Sequence, residues 1–499
     1  MKINISILLL ILVLLAGCGK QSPEIPSNQI LVKVADRVIT KDEFIRRAEY
    51  TIRPFYCKQD NYIHKKIILN SLIAEKLLAL EAGTDNELVQ NEEFQKYIQG
   101  RKEQAMRQYF YIDRAYNKVR LDSIELKKVY QLAGRTYNVQ FLRLPDERAA
   151  AAAVHLYENE GISFEDIARE VLPDSEIPTR KIGFNSDINE DLFQQFFSEP
   201  LQKDQLLNPV KIDDGSYLFM KISGWENEQL ITDVDIRNRM KNVREKLHTI
   251  HANQIYSQQV SEIMKGKTVE FTEETFFDLV RILGPRYLKS MQDKEDAFNR
   301  QFWGQTNEVE LDSSLGNSID ELRNKPLFNL DGKTWTVAEF EDLVKSHPLV
   351  FRKRQISQSE FPEQFKFAVA DLIRDYFITQ EAYKAAYGKN VFVKNYTDMW
   401  NDNLVSIYWR NEYINRAGFQ GNFGNNYMKA IENYLNPYVD SLQRKYSDLI
   451  EINIDAFEKI DLTNIDMFAL QKNVPYPIVS PAFPLITTDH KLDYGKKIN

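Results

Sequence analysis

Apolar and polar positions alternate with several different periods along this chain, and each change of period marks an element. An almost unbroken apolar run covers residues 5–15, and a strand and turn are expected over 30–39. Thr40-Lys41-Asp42-Glu43 has the form of a capping box opening a helix with Phe44, Ile45, Ala48 and Ile52 on its apolar side, stopped by Pro54. A second helix is expected over 62–82, with Ile67, Ile68, Leu72, Ile73, Leu77 and Leu78 on a broad apolar face and Gly83 at the C-cap position. Helical spacing continues through 88–117 and 122–131. The pattern then shifts to a strand over 137–144, helices over 147–159 and 163–171, a loop over 173–183, a short helix over 189–197 and a strand over 216–222. This β-α-α-loop-α-β order predicts a small α+β domain. A long helix over 232–264, a short strand over 268–271 and a helix over 273–283 follow.

Comparison of the chain with itself reveals a repeat. Thr40-Lys-Asp-Glu43-Phe44 recurs as Thr336-Val-Ala-Glu339-Phe340, each behind a strand-turn pattern, and residues 71–82 align with 371–382. The strand and capped helix at 267–276 match those at 449–457, which are taken to close the first and second copies respectively. The expected organisation is a helical module of residues 30–134 plus 227–283, interrupted by the α+β domain at 135–226, then a charged linker at 284–325, a second helical module at 326–460, and a tail at 461–499. The fold class is thus mainly α with an α+β insert. The tail segment from Pro475 to Pro484 carries four prolines, cannot be helical, and should run extended as an arm on its own domain or on a partner.

Composition narrows the function. The 64 basic residues are outnumbered by 72 acidic ones, for a net charge of −8, so no dominant field exists to neutralise phosphates and nucleic acid is not an expected partner. Lys2, the apolar run and Leu15-Ala16-Gly17-Cys18 form a leader too short to span a bilayer. It resembles a bacterial lipoprotein signal, which implies removal of residues 1–17, lipidation of Cys18, and a polar tether over 18–29; an ordinary signal peptide that happens to contain a cysteine is the alternative. Gly19 stands where an aspartate would signal inner-membrane retention, so the resemblance implies a lipid-anchored periplasmic protein of the outer membrane. Cys57, the one remaining cysteine, is expected to be a packed thiol.

The whole organisation resembles the SurA/PrsA type of extracytoplasmic foldase-chaperone, with two SurA-N-like modules, the first interrupted by a parvulin-like (PpiC-like) prolyl isomerase domain. Residues 34–44 with 72–82 carry the first part of the resemblance. The isomerase part rests on Phe164-x-x-Ile167-Ala168, Gly183-Phe184, Pro209-Val210 and the run from Gly215 to Ile222. The resemblance implies a histidine on the first strand of that domain and another on the last; the matching positions hold Gln140 and Leu218. Asp174 matches the acidic or thiol position, and Phe193, Phe196 or Phe197 the aromatic of a proline pocket. Twisting an X-Pro bond means crossing a barrier of about 18–20 kcal/mol, so loss of both imidazoles implies weak or absent isomerase activity. Unfolded or extended polypeptides are the expected partners, with no cofactor and no metal. An active isomerase with a rearranged site, or a fixed subunit of an envelope assembly complex, are the other readings. His248 and His251, three apart on a helix rich in Lys and Arg, are expected on a solvated face rather than on a metal. The aromatic runs 107–112 and 395–400 are expected in cores, or as aromatic surface offered to unfolded chains.

Overall fold

A computed structural model describes residues 29–173, 175–212, 215–229, 232–288, 317–353, 356–462 and 480–497. The leader, Cys18, most of the tether and Asp174 lie outside the described residues, as do residues 463–479 of the tail. The chain is mainly α with an α+β insert and divides into two units, one of residues 111–259 and one built from the described residues before and after it. In chain order the elements used below are β1 (Ile30–Val34), β2 (Arg37–Thr40), α1 (Lys41–Glu49), α2 (Tyr62–Ala82), α3 (Glu92–Arg114), α4 (Ser123–Leu132), β3 (Arg135–Leu144), α5 (Glu147–Glu160), α6 (Phe164–Val171), β4 (Thr179–Ile182), α7 (Glu190–Phe197), β5 (Leu206–Lys211) and β6 (Tyr217–Asn227). They continue as α8 (Asp233–Met264), β7 (Val269–Phe271), α9 (Glu273–Tyr287), β8 (Pro326–Leu330), β9 (Lys333–Thr336), α10 (Val337–Ser346), α11 (Phe361–Lys384), α12 (Val391–Arg416), α13 (Asn436–Lys445), β10 (Ile450–Ile452), α14 (Ile454–Glu458) and β11 (Lys496–Lys497).

In the helical unit the repeat is visible down to the hydrogen-bond register. In the first hairpin Val34 faces Arg37, Val32 faces Ile39 and Ile30 faces Thr40, with an irregularity between Ile30 and Val32. In the second, Leu330 faces Lys333, Phe328 faces Trp335 and Pro326 faces Thr336, with the irregularity at the equivalent place. Each hairpin feeds a capped helix. Thr336 and Glu339 form the complete capping box. Thr40 accepts from the Glu43 amide, but the Glu43 carboxylate turns instead to Lys76, 3.0 Å away in the core. That half of the expected box is therefore replaced by a buried ion pair.

The strands closing the two sheets are exchanged relative to the sequence reading. β7 pairs with β8, matching Phe271 to Phe328 and Val269 to Leu330, whereas β10 pairs with β1, matching Ile452 to Val32 and Ile450 to Val34. The second copy thus takes the strand that precedes it, and the first copy is completed by the strand near the end of the chain. Both hairpins present the same edge in the same register, so the apolar pattern of a three-residue strand cannot tell one edge from the other. Two cores follow the pairing. Val32, Ile39, Phe44, Leu72, Ile452 and Phe457 belong to one, and Phe328, Trp335, Phe340, Leu372, Phe276 and Leu279 to the other.

The smaller unit contains a four-stranded antiparallel sheet of order β4-β3-β6-β5. β4 lies in the segment expected to be a loop, and three of its four residues are exposed, so it shows no apolar alternation to read. β5 contains Pro209 and a register shift between Leu207 and Val210, both tolerated on an edge strand. Leu142, Leu144 and Phe219 pack under α5 and α6 on one face. Tyr137, Val139, Met220 and Ile222 pack on the other with Val129 and Leu132 of α4, the aromatic side of α7, and Val243, Leu247 and Ile250 of α8. The boundaries expected at 135 and 226 therefore move outward: α4 and the first part of α8 serve as cover for this sheet, because their apolar stripes bury against it.

Candidate functional site

The two positions matched to the missing histidines are not brought together. On the paired strands β3 and β6, Gln140 faces Lys221 and Leu218 faces Arg143. Side chains alternate between faces, so Gln140 shares its face with Leu142 and Phe219, while Leu218 shares the opposite face with Met220 and Phe141. A one-residue slip in matching β3 moves the position to the wrong face; the β3 residue on the Leu218 side is Phe141. Phe141 and Leu218 are half-buried at the rim of the core. Strands β3 to β6 contain no histidine. Around Gln140 the polar chemistry is an ion pair, in which the Lys221 ammonium donates to Glu165 at 2.5 Å with Asp204 3.7 Å away. The hydrogen bond to Lys221 holds the Glu165 carboxyl below its ordinary range.

Phe193, Phe196 and Phe197 are corrected as peptide-pocket candidates, because all three are almost wholly buried. Ring centroids lie 5.5 Å apart for Phe184 and Phe193, 5.2 Å for Phe193 and Phe197, and 5.6 Å for Tyr137 and Phe196. The aromatic that the resemblance assigned to a proline pocket belongs instead to the buried stripe of α7, where the three rings stand at i, i+3 and i+4. The two helix histidines are half-buried rather than solvated: the His251 Nε2 sits 2.9 Å from Glu125, and the His248 ring lies 4.1 Å from that of Tyr116. Burial, with the neighbouring His251, lowers the His248 pKa. The aromatic runs are core as well, since Phe110, Tyr396, Met399 and Trp400 are all buried. Cys57 is buried and its thiol is pushed up by desolvation, which makes it unreactive.

Sequence reading missed a buried polar cluster in the helical unit. Arg47 of α1 donates from Nη1 and Nη2 to the two carboxylate oxygens of Glu75 at 3.0 and 2.7 Å, and both side chains are 0% exposed. Asn403 of α12 also donates to Glu75, at 2.8 Å. Beside them Lys76 lies 3.0 Å from Glu43 and 3.2 Å from Asp402, and Arg37 lies 3.1 Å from Asp402. Burial disfavours a charged Lys76, but the carboxylates of Glu43, Asp402 and Glu75 together outweigh it and raise its pKa; burial raises that of Glu43. The available signal was the interruption of the apolar face of α2 by Asn70, Ser71, Glu75 and Lys76, all buried.

This cluster holds the end of the chain. The carbonyl of Ala482 accepts from Arg47 at 2.7 Å and from Asn403 at 3.1 Å. The Thr487 carbonyl accepts from the Ser71 hydroxyl at 3.4 Å and that of Asp489 from Asn70 at 2.8 Å. Asn436 at the start of α13 receives the Thr487 hydroxyl at 2.8 Å and the Thr488 amide at 3.2 Å. Phe483, Leu485 and Ile486 are at most 4% exposed. Of the two placements open to the tail, residues 480–497 therefore take their own domain, ending as β11 parallel to β10. Gly495, at φ +80°, is required there, because a Cβ would stand 2.7 Å from the Ile450 carbonyl oxygen.

A separate open cavity of about 260 Å³ lies in the same unit, lined by Arg107, Trp335, His347, Tyr376 and Thr379 among others. Behind it Asp375 accepts from Arg374 at 2.7 Å and lies 2.9 Å from the His347 Nε2. Burial pushes the Asp375 carboxyl up, but the hydrogen bond to His347 and the charges of Arg374 and Arg107 together outweigh it and hold it below the ordinary 3.8. A carboxyl lowered on folding stabilises the fold above its unfolded value and ceases to do so as pH falls through the folded one. Asp375→Asn should accordingly cost about 3 kcal/mol at neutral pH. The difference from wild type in urea midpoint should be constant down to pH 3.8 and shrink only below it.

Among the described residues no cluster of histidine, cysteine and carboxylates could hold a metal, and no helix is long and apolar enough to cross a membrane. No family model matches the sequence, and no curated protein is significantly similar to it. Solved structures similar to it include the foldase protein PrsA from Streptococcus pneumoniae, at 15% identity over 44% of this chain and 88% of that one with a TM-score of 0.20. The peptidylprolyl isomerase PrsA from Bacillus cereus is 15% identical over 46% of this chain and 93% of its own, with a TM-score of 0.19. PrsA from Bacillus subtilis is 18% identical over 50% and 96%, with a TM-score of 0.15. Likeness at this distance transfers neither activity nor ligand.

Proposed function

We propose that this chain is an extracytoplasmic chaperone of the SurA/PrsA kind, anchored by lipid on Cys18, that holds unfolded outer-membrane or secreted proteins and does not isomerise prolyl bonds. The observation that carries the reading is the rim of the smaller unit's core, where Phe141 and Leu218 stand half-buried on one face of the sheet and no imidazole stands on any of the four strands. Catalysis of imide rotation needs polar groups preorganised around the twisted bond. The half-buried side chains of Phe141 and Leu218 offer apolar contact to a client but no such network. Broad holding of clients needs only distributed apolar burial and contacts to main chain, which tolerate many sequences.

The test pairs two assays on one preparation. Turnover of a proline tetrapeptide should stay at the uncatalysed rate, and aggregation of an unfolded outer-membrane β-barrel should be suppressed at near-stoichiometric ratios. Isomerase turnover, or aggregation unchanged by the protein, would refute the corresponding half. Anchoring has its own test: Cys18→Ser should abolish metabolic labelling with palmitate and move the protein from the membrane to the soluble fraction.

A further inference from the structure

The end of the chain is held as a bound peptide would be held. Residues 480–495 form neither helix nor strand, yet Pro481, Phe483, Pro484, Leu485, Ile486 and Thr487 are all buried. The carbonyls of Ala482, Thr487 and Asp489 are satisfied by side chains of α1, α2 and α12 rather than by a neighbouring strand. Prolines at 481 and 484 bring no N–H, so this stretch buries fewer donors than an ordinary one would. The segment then finishes by adding a strand to the edge of β10. Side-chain donors aimed at main-chain carbonyls, apolar burial of the segment's side chains and an added strand are means by which proteins bind extended polypeptides in trans. The groove floor is also rigid: Arg47 is fixed by both oxygens of Glu75, and Asn403 bridges Glu75 to the same Ala482 carbonyl.

We propose that this groove of α1, α2, α12 and α13 is a binding site for extended, proline-flanked apolar polypeptide, occupied in cis by residues 480–497. The proposal rests on the holdase reading for its biological meaning, since it names the place where a client would be held, but the binding itself is independent of that reading. A covalently tethered occupant competes at an effective concentration on the order of mM. The wild-type chain therefore resists exchange with a free peptide, and a client with a better apolar fit displaces the tail.

The experiment uses the full-length chain carrying Phe483→Ser and Ile486→Ser, which weaken the cis occupant and leave every groove residue intact. A fluorescent peptide of residues 480–497 is titrated and its anisotropy followed. The substituted chain should bind the peptide at least tenfold more tightly than wild type, and a peptide bearing the same two serines should not bind. Equal binding to both chains, or to neither, overturns the proposal. If the substitutions lower the melting temperature, the wild-type peptide should raise it again and the serine peptide should not; absence of that rescue overturns the proposal equally. Failure to suppress client aggregation with the peptide result intact would reject the holdase reading alone.

Discussion

Glu75→Ala should destabilise the helical unit by about 3–5 kcal/mol, the range found when one member of a buried ion pair is removed. The reason is the isolation of Arg47. Its guanidinium is 0% exposed, spends Nη1 and Nη2 on Glu75, donates from Nη2 to Ala482, and has no partner at Nε. Without Glu75 the buried guanidinium keeps one carbonyl as its hydrogen-bond acceptor and only the neighbouring Glu43 carboxylate to offset its charge, and Asn403 loses an acceptor as well. Chemical denaturation followed by near-UV circular dichroism measures the loss, and a change under 1 kcal/mol would mean that water reaches the site. Lys96→Ala serves as the control: its pairing with Glu92 is solvent-exposed and should not move the midpoint measurably. The double change Arg47→Met with Glu75→Leu should recover most of the stability, because an apolar pair replaces a buried ionic one at little cost. It should not recover protection of residues 480–489 from amide exchange, since Ala482 then keeps Asn403 alone.

Legibility in the sequence followed how local each signal is. The hairpins and their caps rest on a few adjacent residues, and Thr40, Thr336 and Glu339 do what their spacing implies. The strand pairing is a long-range choice between two equivalent edges, and nothing in Val269–Phe271 or Ile450–Ile452 encodes which hairpin each will meet. The placement of Gln140 failed for a different reason. With a side-chain period of two, a match displaced by one position crosses the sheet, and YNVQFLRL admits either alignment. Phe193, Phe196 and Phe197 lie on the expected helix, but a resemblance matched by order along the chain does not say whether an aromatic stripe faces a pocket or a core. The tail groove was least legible of all. Its polar residues on α2 stand in isolated pairs, Asn70-Ser71 and Glu75-Lys76, within an apolar run, and the partners of Glu75 and Arg47, Asn403 and Ala482, are more than three hundred residues away in the chain.

The docking of the two copies supplies the second large effect. Gly100 sits within α3, where an exposed glycine would be worth replacing, since alanine gains about 1 kcal/mol in a helix interior. Here the sign should reverse. A Cβ at Gly100 would lie 2.0 Å from the carbonyl oxygen of Ser346 and 2.9 Å from its Cα, so the obstacle is the backbone at the end of α10. Backbone cannot rotate aside as a side chain can, and one of the two helices must move. Overpacking of this kind typically costs 1–3 kcal/mol, and the net loss for Gly100→Ala is expected near the top of that range. The strain should also reach neighbours held by the same contact: Arg107 of α3 donates to Thr379 of α11 at 2.8 Å, and the Tyr383 hydroxyl of α11 donates to Glu103 at 2.7 Å. Faster amide exchange over 337–346 and a lowered melting temperature are the expected readouts. A variant as stable as wild type would show that α3 and α10 do not approach to backbone contact, and that the two copies of the module are more loosely joined than this contact requires.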